Sequence, residues 1–166
     1  MKPKIIFRKA KISDAAKIKK TIDTYAEESV MLLRPIYEIY TNIRDFFIAE
    51  KENKVIGCCA LHVLGKEYRP GHKGAVLAEV RSLAILKEER GKGIGTQLVK
   101  ECIREAKEME IDKLFMLTTP KNVKFFQNSG FKKIGKSNLP QKIWQECINC
   151  SRFPDDCNEV SLIRDI

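Results

Sequence analysis

The stretch that decides the fold runs from Ala78 to Lys100 and reads AEVRSLAILKEERGKGIGTQLVK. Its first part, Val80 to Leu86, is rich in aliphatic and β-branched residues, which is typical of a largely buried strand. A charged turn and three alternating glycines follow, and from Gly95 onward apolar residues recur at helical spacing with charged residues on the opposite face. The sequence therefore predicts a strand that leads through a glycine loop into an amphipathic helix.

The glycine loop lies where a chain can bind phosphate. The first N–H groups of a helix lack intrahelical partners and lie at the positive end of its dipole. Glycines just before them let the backbone approach a bulky anion closely. Two nucleotide-binding motifs are excluded. A P-loop ends in Gly-Lys-Ser/Thr after four free positions from an earlier glycine, and residues 91–96 do not supply this ending. A Rossmann fingerprint requires a glycine at the position of Thr96 or Leu98.

Three residues of the loop, Arg90, Gly93 and Gly95, fit the pattern Q/R-x-x-G-x-G/A. In this pattern the chain resembles the GCN5-related N-acetyltransferases. The resemblance implies that acetyl-CoA is the co-substrate, that the loop binds its pyrophosphate, and that the end of the strand pairs with pantetheine as with an added strand. The implied cofactor-binding residues are Leu83, Ala84, Ile85, Arg90, Gly91, Lys92, Gly93, Ile94, Gly95 and Thr96. An ordinary glycine-rich connector is the alternative interpretation.

A second motif supports the same superfamily. Phe125-Phe126-x-x-x-Gly130-Phe131 resembles its ending, (L/F)-Y-x-x-x-G-F. Many members carry tyrosine at the position of Phe126, where it donates a proton to the departing thiolate. We expect Phe126 to contact the cofactor, but a phenyl ring cannot donate a proton. Water then protonates the thiolate, or the thiolate leaves unassisted, because a thiol is already fairly acidic.

The composition limits the class of protein. The chain has 166 residues, enough for one domain with a core of its own. No run of about eighteen apolar residues and no signal peptide is present, so we expect no membrane span and no secretion. Three of the six cysteines, Cys58, Cys59 and Cys102, lie within apolar patterns and are expected to be core residues, so a cytoplasmic, reducing compartment is the simplest interpretation. The formal net charge is +9, from 31 Lys+Arg against 22 Asp+Glu. Because the cations are dispersed and nucleic-acid motifs are lacking, we expect a polyanionic cofactor or an acidic substrate rather than DNA, RNA or a membrane.

The whole chain predicts an α/β fold in the order β-α-α-β-β-β-α-β-α-β, with a further helix before a last strand. This order is that of the acetyltransferase fold, with a mixed, mostly antiparallel sheet flanked by helices. We expect a single N-acetyltransferase domain over 1–166, with a cysteine-containing extension at 138–166 packed on it. Strands are expected at 5–8, 46–49, 55–64, 80–86, 113–118, 131–134 and 160–163, and helices after Ser13-Asp14, at Pro35, at Gly95, at 123–128 and at 139–150.

Acetyl transfer to an amine requires four events. The amine must lose a proton, the thioester carbonyl must be held, its oxyanion must be stabilised, and the thiolate must leave. The resemblance places Glu79, five residues before Ala84, where the histone-acetyltransferase branch has its general base. It also places the N–H of Leu83 or a near neighbour beside the thioester oxygen. Glu79 is therefore the candidate catalytic residue; the alternative is a solvated strand-end carboxylate or a partner of Arg81.

Two arginines are candidate acceptor-binding residues. Arg81 lies two residues after Glu79, so strand alternation points both side chains to one face, where a guanidinium can bind a carboxylate in a bidentate pair. Arg34 lies in the LLRP segment at 32–35, which joins the first two helices and which the resemblance places over the acceptor site. A surface or intramolecular salt bridge is the alternative for each arginine.

The C-terminal tail carries a second resemblance. NLPQKIWQECINC at 138–150, followed by Phe153, Cys157 and Glu159-Val160, resembles the tail of short bacterial amino-acid N-acetyltransferases, the N-acetylglutamate synthase-like enzymes that open arginine biosynthesis. The implied acceptor is the α-amine of L-glutamate or of a near relative such as glutamine. A dimer is common in families of this type.

Cys147, Cys150 and Cys157 allow three interpretations. They could bind structural zinc, but only with a fourth ligand such as Glu159. They could instead form a labile disulfide or stay reduced beneath the tail. No metal is expected in catalysis.

Two other functions stay open from the sequence. The acceptor could be a polyamine, an aminoglycoside or a protein N-terminus, although cationic acceptors favour an acidic site and the chain is basic. The chain could also be a catalytically silent acyl-CoA-binding domain, for which Phe126 is the hint.

Overall fold

The structure, a computed structural model, describes residues 3–26, 31, 33–67 and 74–166. These residues form seven strands and five α-helices, in the order predicted from the sequence. The strands are β1 (Ile5–Lys9), β2 (Phe46–Lys51), β3 (Lys54–Glu67), β4 (Ala75–Ile85), β5 (Lys113–Thr118), β6 (Lys132–Ile134) and β7 (Val160–Asp165). The helices are α1 (Ala15–Ala26), α2 (Ile36–Thr41), α3 (Ile94–Glu108), α4 (Val123–Gln127) and α5 (Gln141–Ile148).

The strands form one mixed, mostly antiparallel sheet in the order β1-β2-β3-β4-β5-β7-β6. Neighbours β1 and β2, β2 and β3, β5 and β7, and β6 and β7 are antiparallel. Strands β4 and β5 are parallel and pair over Leu77–Glu79, with Glu79 opposite Phe115. The predicted fold class is therefore confirmed.

Several predicted boundaries were wrong, among them those of β3, which extends to Glu67, β4 and α5. Strand β4 begins at Ala75 rather than at Val80, because its pairing with β5 starts before the β-branched run does. Helix α5 is shorter than predicted and ends at Ile148. The predicted LLRP segment is only partly covered, since Leu32 lies outside the described residues.

The chain divides into two compact units, so that a single domain stays a prediction. The first unit comprises Met1–His62 and Val80–Glu105, and the second comprises Val63–Glu79 and Ala106–Ile166. In the first unit, α1 and α2 pack against the sheet through a cluster of buried apolar side chains that includes Ile18, Ile22, Tyr25, Ile39, Ile43, Phe46, Ile48, Cys58 and Ala84. Next to Cys58, Cys59 contacts Cys102 of α3 at a sulfur–sulfur distance of 3.6 Å, so α3 covers the other face of this unit's strands.

The second unit has its own core beneath α5. Leu77 of β4 and Phe115 of β5 are buried there against Leu139 and Ile143. Trp144 and five further apolar side chains of the strands, with Cys147, complete the cluster: Leu64, Ala75, Leu117, Ile134 and Ile163. The tail from 138 onward is therefore part of this core.

Within the described residues, no helix is long and apolar enough to cross a membrane.

Candidate active site

The end of β4 leads directly into the glycine loop in the first unit. Leu83 and Ile85 are half-buried and Ala84 is buried against α1 and α2. Just before them, Ser82 has a φ of 56°, a left-handed conformation that interrupts the regular pleat of the strand. After Ile85, the N–H of Leu86 donates to the carbonyl of Ile56 over 2.9 Å, which fixes the point where the loop begins.

The loop has the backbone that its glycines predict. A short 3-10 turn at Lys87–Glu89 is followed by Gly91 at φ 74° and Gly93 at φ 78°. Both values lie in the left-handed region, which glycine adopts without the Cβ penalty of other residues. A Cβ added at either position would have no heavy atom within 4 Å, so the space beside this backbone is open. Helix α3 begins at Ile94, which places Gly95 and Thr96 in its first turn.

Lys92, predicted to add charge for the pyrophosphate, already has carboxylate and carbonyl partners. Its Nζ lies 2.8 Å from Glu89 Oε2 and 2.8 Å from the carbonyl oxygen of Glu88. Lys51 of β2 lies 2.8 Å from the other carboxylate oxygen of Glu89. The hydrogen bond from Lys51, followed by that from Lys92, lowers the pKa of Glu89 to about 2. Glu89 thus ties the loop to β2.

Arg90, the first residue of the loop motif, is held by Tyr25 of α1. Arg90 Nε donates to the hydroxyl oxygen of Tyr25 over 2.8 Å, and the guanidinium carbon lies 4.7 Å from the centre of the Tyr25 ring. The same hydroxyl donates to the carbonyl oxygen of Ile85. The helical spacing of Ile18, Ile22 and Tyr25 accounts for the burial of the ring, but it gives no information on the partner of the hydroxyl group.

Glu79, the candidate base, is a buried residue of the second unit. It is 7% exposed, which excludes the solvated carboxylate considered from the sequence. Burial chiefly raises the pKa of the Cys147 thiol, and nearby charges, including that of Glu79, add to this rise. Glu79 also has further interactions of its own.

The two predicted acceptor residues are both in the first unit and both engaged. Arg34 Nη1 lies 3.5 Å from Glu38 Oε2, one helical turn away, so the intramolecular ion pair considered from the sequence is present. The side chain of Arg34 is 23% exposed. Arg81 is half-buried, has an interaction of its own, and its carbonyl oxygen lies 3.8 Å from the thiol of Cys59. That Arg81 and Glu79 share one face stays a prediction.

Phe126 lies in an aromatic cluster of the second unit. It is 4% exposed and contacts Phe125 and Phe131 edge-to-face, with ring centres 4.8 and 6.2 Å away. Gly130 has a φ of 83°, and a Cβ there would lie 2.0 Å from Arg164 Nη1. The backbone conformation thus favours glycine at this position, and a larger residue would also displace the end of the Arg164 side chain. Contact between Phe126 and the cofactor stays a prediction.

The three tail cysteines are free thiols in this structure. Cys157 Sγ lies 3.5 Å from Lys136 Nζ, and all three residues are half-buried. Across the part of the chain that the structure describes, no group of His, Cys, Asp and Glu side chains is arranged to hold a metal ion. That these cysteines stay reduced is still a prediction.

The structure also contains a histidine–aspartate pair that was not predicted from the sequence. His62 Nδ1 on β3 lies 2.6 Å from Asp45 Oδ2, and both side chains are partly buried. An aspartate in the turn before β2 and a histidine near the end of β3 are seventeen residues apart, and only the antiparallel pairing of the two strands brings such positions together.

An open, left-handed glycine loop between a strand and the first turn of a helix, in a mixed sheet of this order, is the arrangement expected of a coenzyme A-dependent acyltransferase. The model of the acetyltransferase (GNAT) domain matches residues 42–133, which include β4, the loop and α3. The chain belongs to this family and is an N-acetyltransferase whose co-substrate is acetyl-CoA.

Two relatives are similar in sequence to this chain over most of its length. An uncharacterized N-acetyltransferase of Chlorobaculum tepidum is 39% identical over 157 residues, 95% of this chain and 94% of that protein. An amino-acid acetyltransferase of Mycobacterium tuberculosis is 30% identical over 144 residues, 85% of this chain and 76% of that protein.

A solved structure shares the fold. The N-acetylglutamate synthase of Neisseria gonorrhoeae, in complex with coenzyme A and N-acetyl-glutamate, superimposes with a TM-score of 0.81 at 24% identity. The likeness covers 99% of this chain and 36% of that one.

Proposed function

We propose that this enzyme transfers the acetyl group of acetyl-CoA to the α-amine of an amino acid, with L-glutamate as the expected acceptor and arginine biosynthesis as the expected context. The observation that carries the proposal is the identity of 30% with an amino-acid acetyltransferase over 85% of this chain. The fold shared with an N-acetylglutamate synthase and the resemblance of the tail support the same acceptor.

The cofactor would bind along the end of β4 and in the glycine loop. Strand β4 continues to Ile85 beyond the residues that pair with β5, and pantetheine would pair with Leu83, Ala84 and Ile85 there. The pyrophosphate would accept hydrogen bonds from the loop and from the first turn of α3, since helix N-termini and left-handed glycines favour phosphate. The open space beside Gly91 and Gly93 supports this placement.

Glu79 would take the proton from the amine, directly or through a water molecule. Its low exposure and its position in β4, five residues before Ala84, support this role. The neutral amine would then attack the thioester carbonyl, and the N–H of Leu83 or a near neighbour would donate to the oxyanion. When the C–S bond breaks, the thiolate would leave unassisted or take a proton from water.

Arg81 and Arg34 would bind the carboxylates that distinguish an amino acid from a polyamine. Arg34 would have to exchange the carboxylate of Glu38 for that of the substrate, which a partly exposed pair at 3.5 Å permits at little cost. Arg81 is half-buried, so a charge-assisted bond from it would be stronger than one at the surface.

The experiment that tests the proposal measures thiol release from acetyl-CoA with a panel of acceptors. The panel holds glutamate, glutamine, aspartate, other amino acids, spermidine, an aminoglycoside and a peptide with a free N-terminus. Glutamate or glutamine should give the highest kcat/KM, and N-acetylation at the α-amine should be visible by mass spectrometry. A preference for spermidine, the aminoglycoside or the peptide would refute the acceptor, and CoA binding without turnover on any amine would favour the silent domain.

A further inference from the structure

Tyr25 lies at the end of α1, far along the sequence from the loop that it contacts. It is 8% exposed and its ring packs in the apolar cluster of the first unit. A tyrosine on a buried helix face could be there for its ring alone. The contacts of its hydroxyl group show that the ring is only part of what this residue does.

The hydroxyl group forms hydrogen bonds both with the end of β4 and with the glycine loop. It donates its one proton to the carbonyl oxygen of Ile85, the last residue of β4, and it accepts the Nε–H of Arg90 over 2.8 Å. A phenol has one O–H donor and acceptor lone pairs, so a single atom can serve both partners. Phenylalanine could serve neither, although it would fill the same volume.

The ring contributes a second contact with the same arginine. The guanidinium carbon of Arg90 lies 4.7 Å from the ring centre, within the range of a cation–π interaction. Arg90 itself is exposed. Tyr25 thus restrains the guanidinium from its buried side at Nε, while the outer side of the group is accessible to an anion from solvent.

We propose that Tyr25 is a positioning residue for coenzyme A: with its hydroxyl group anchored on the carbonyl of Ile85, it fixes Arg90 so that the guanidinium is already arranged for the pyrophosphate. The inference rests on the proposed role of the loop. An exposed arginine without such a restraint has many rotamers, and binding would have to order it at a cost in free energy. Restraining it in the free protein removes that cost from the binding step.

The test compares Tyr25→Phe with the wild type in two assays. Calorimetry measures the Kd for CoA, and kinetics measure kcat/KM for acetyl-CoA and for acetyl-pantetheine, which has no pyrophosphate. We expect Tyr25→Phe to bind CoA about tenfold more weakly, corresponding to about 1.4 kcal/mol. The kcat/KM for acetyl-pantetheine should change less than twofold, because that donor does not reach Arg90. A merely structural role would lower both values together.

Two comparisons isolate the contact. Tyr37→Phe removes a hydroxyl group from an exposed tyrosine of α2 and should leave the Kd for CoA unchanged. In an Arg90→Ala background, Tyr25→Phe should have no further effect on the Kd, since residues that act through one contact are not additive.

Three outcomes would overturn the inference. The first is equal CoA affinity of Tyr25→Phe and the wild type while Gly93→Asp loses affinity; the loop assignment would then stand and only the role of Tyr25 would fail. The second is an equal loss with both donors. The third is a wild type that binds no CoA, which would refute the loop site as well. If Tyr25→Phe does not fold, the wild-type Arg90 Nε–H resonance decides: it must be protected from exchange and must shift with CoA but not with pantetheine.

Discussion

Replacing Gly93 separates the backbone requirement of the loop from its electrostatic one. Gly93 has a φ of 78° and open space on its Cβ side, so a substitution meets conformational strain but no clash within the chain. An L-residue in the left-handed region costs about 1–2 kcal/mol, and asparagine tolerates that region better than most residues. We therefore expect Gly93→Asn and Gly93→Asp to lose a similar, small amount of unfolding free energy.

The two variants should differ in CoA binding. Two unit charges 4 Å apart repel by about 1 kcal/mol in water and about 4 kcal/mol at the effective dielectric constant near a protein surface. An aspartate beside the pyrophosphate should thus weaken CoA binding by about 2 kcal/mol relative to asparagine, roughly thirtyfold in Kd. The difference should shrink in 1 M salt, where the Debye length falls to about 3 Å.

Calorimetry of CoA binding and denaturant unfolding of the same samples measure both effects. Gly65→Asp is the matched control, because Gly65 has a φ of 100°, open space on its Cβ side and a position outside the loop. It should lose stability and keep its CoA affinity. Equal Kd values for Gly93→Asp and Gly93→Asn, or an equal loss in Gly65→Asp, would show that the pyrophosphate does not bind at this backbone.

Three further changes test other residues. Glu79→Gln should lower kcat by about a hundredfold with an unchanged Kd for CoA, the usual scale for positioned proton transfer, and near-normal turnover across pH would exclude it as the base. Arg81→Lys should lower kcat/KM for glutamate by an amount that corresponds to a loss of about 1.5–3 kcal/mol of transition-state stabilisation, because lysine lacks the planar guanidinium group. Normal kinetics in both Arg81→Lys and Arg34→Lys would show that neither arginine binds the acceptor. The pKa of Glu89 is about 2 in the folded protein, against an ordinary value of 4.5. The ionised carboxylate therefore contributes fully to the free energy of unfolding above pH 4.5, and this contribution is lost as the pH falls towards 2. Unfolding free energies measured between these pH values should fall less steeply in Glu89→Gln than in the wild type, and equal slopes would contradict the ion pairs.

The local features of the fold could be read from the sequence because they depend on neighbours along the chain. Strand β5 has the predicted bounds, Lys113–Thr118, and α2 follows Pro35 as expected. The pair of Arg34 and Glu38 is also local, since its two residues are four positions apart, although Arg34 precedes the first residue of α2.

Features that depend on partners distant in the sequence were not predictable. The contact of Tyr25 with the loop joins residues about sixty positions apart, and periodicity reports only that a side chain is buried, not what its polar atom meets. Helix α2 shows the same limit for burial. Ile36 and Tyr40 fit an apolar face, yet they are 37% and 44% exposed, because a helix of six residues buries only the side that carries Ile39.

The position of Phe126 has a physical explanation in its surroundings. The ring is buried and meets Phe125 and Phe131 edge-to-face, so a phenol there would have to find a hydrogen-bond partner beside an aromatic cluster or lose about 1–3 kcal/mol. We expect the lack of a tyrosine proton donor at this position to have little effect on the reaction. A thiol has a pKa near 8.5, so protonating the thiolate at pH 7 gains only about 2 kcal/mol, whereas the amine cannot attack at all until it has lost its proton. The demand for catalysis thus falls on the base, and Glu79, a buried carboxylate of β4, is the residue that we propose for it.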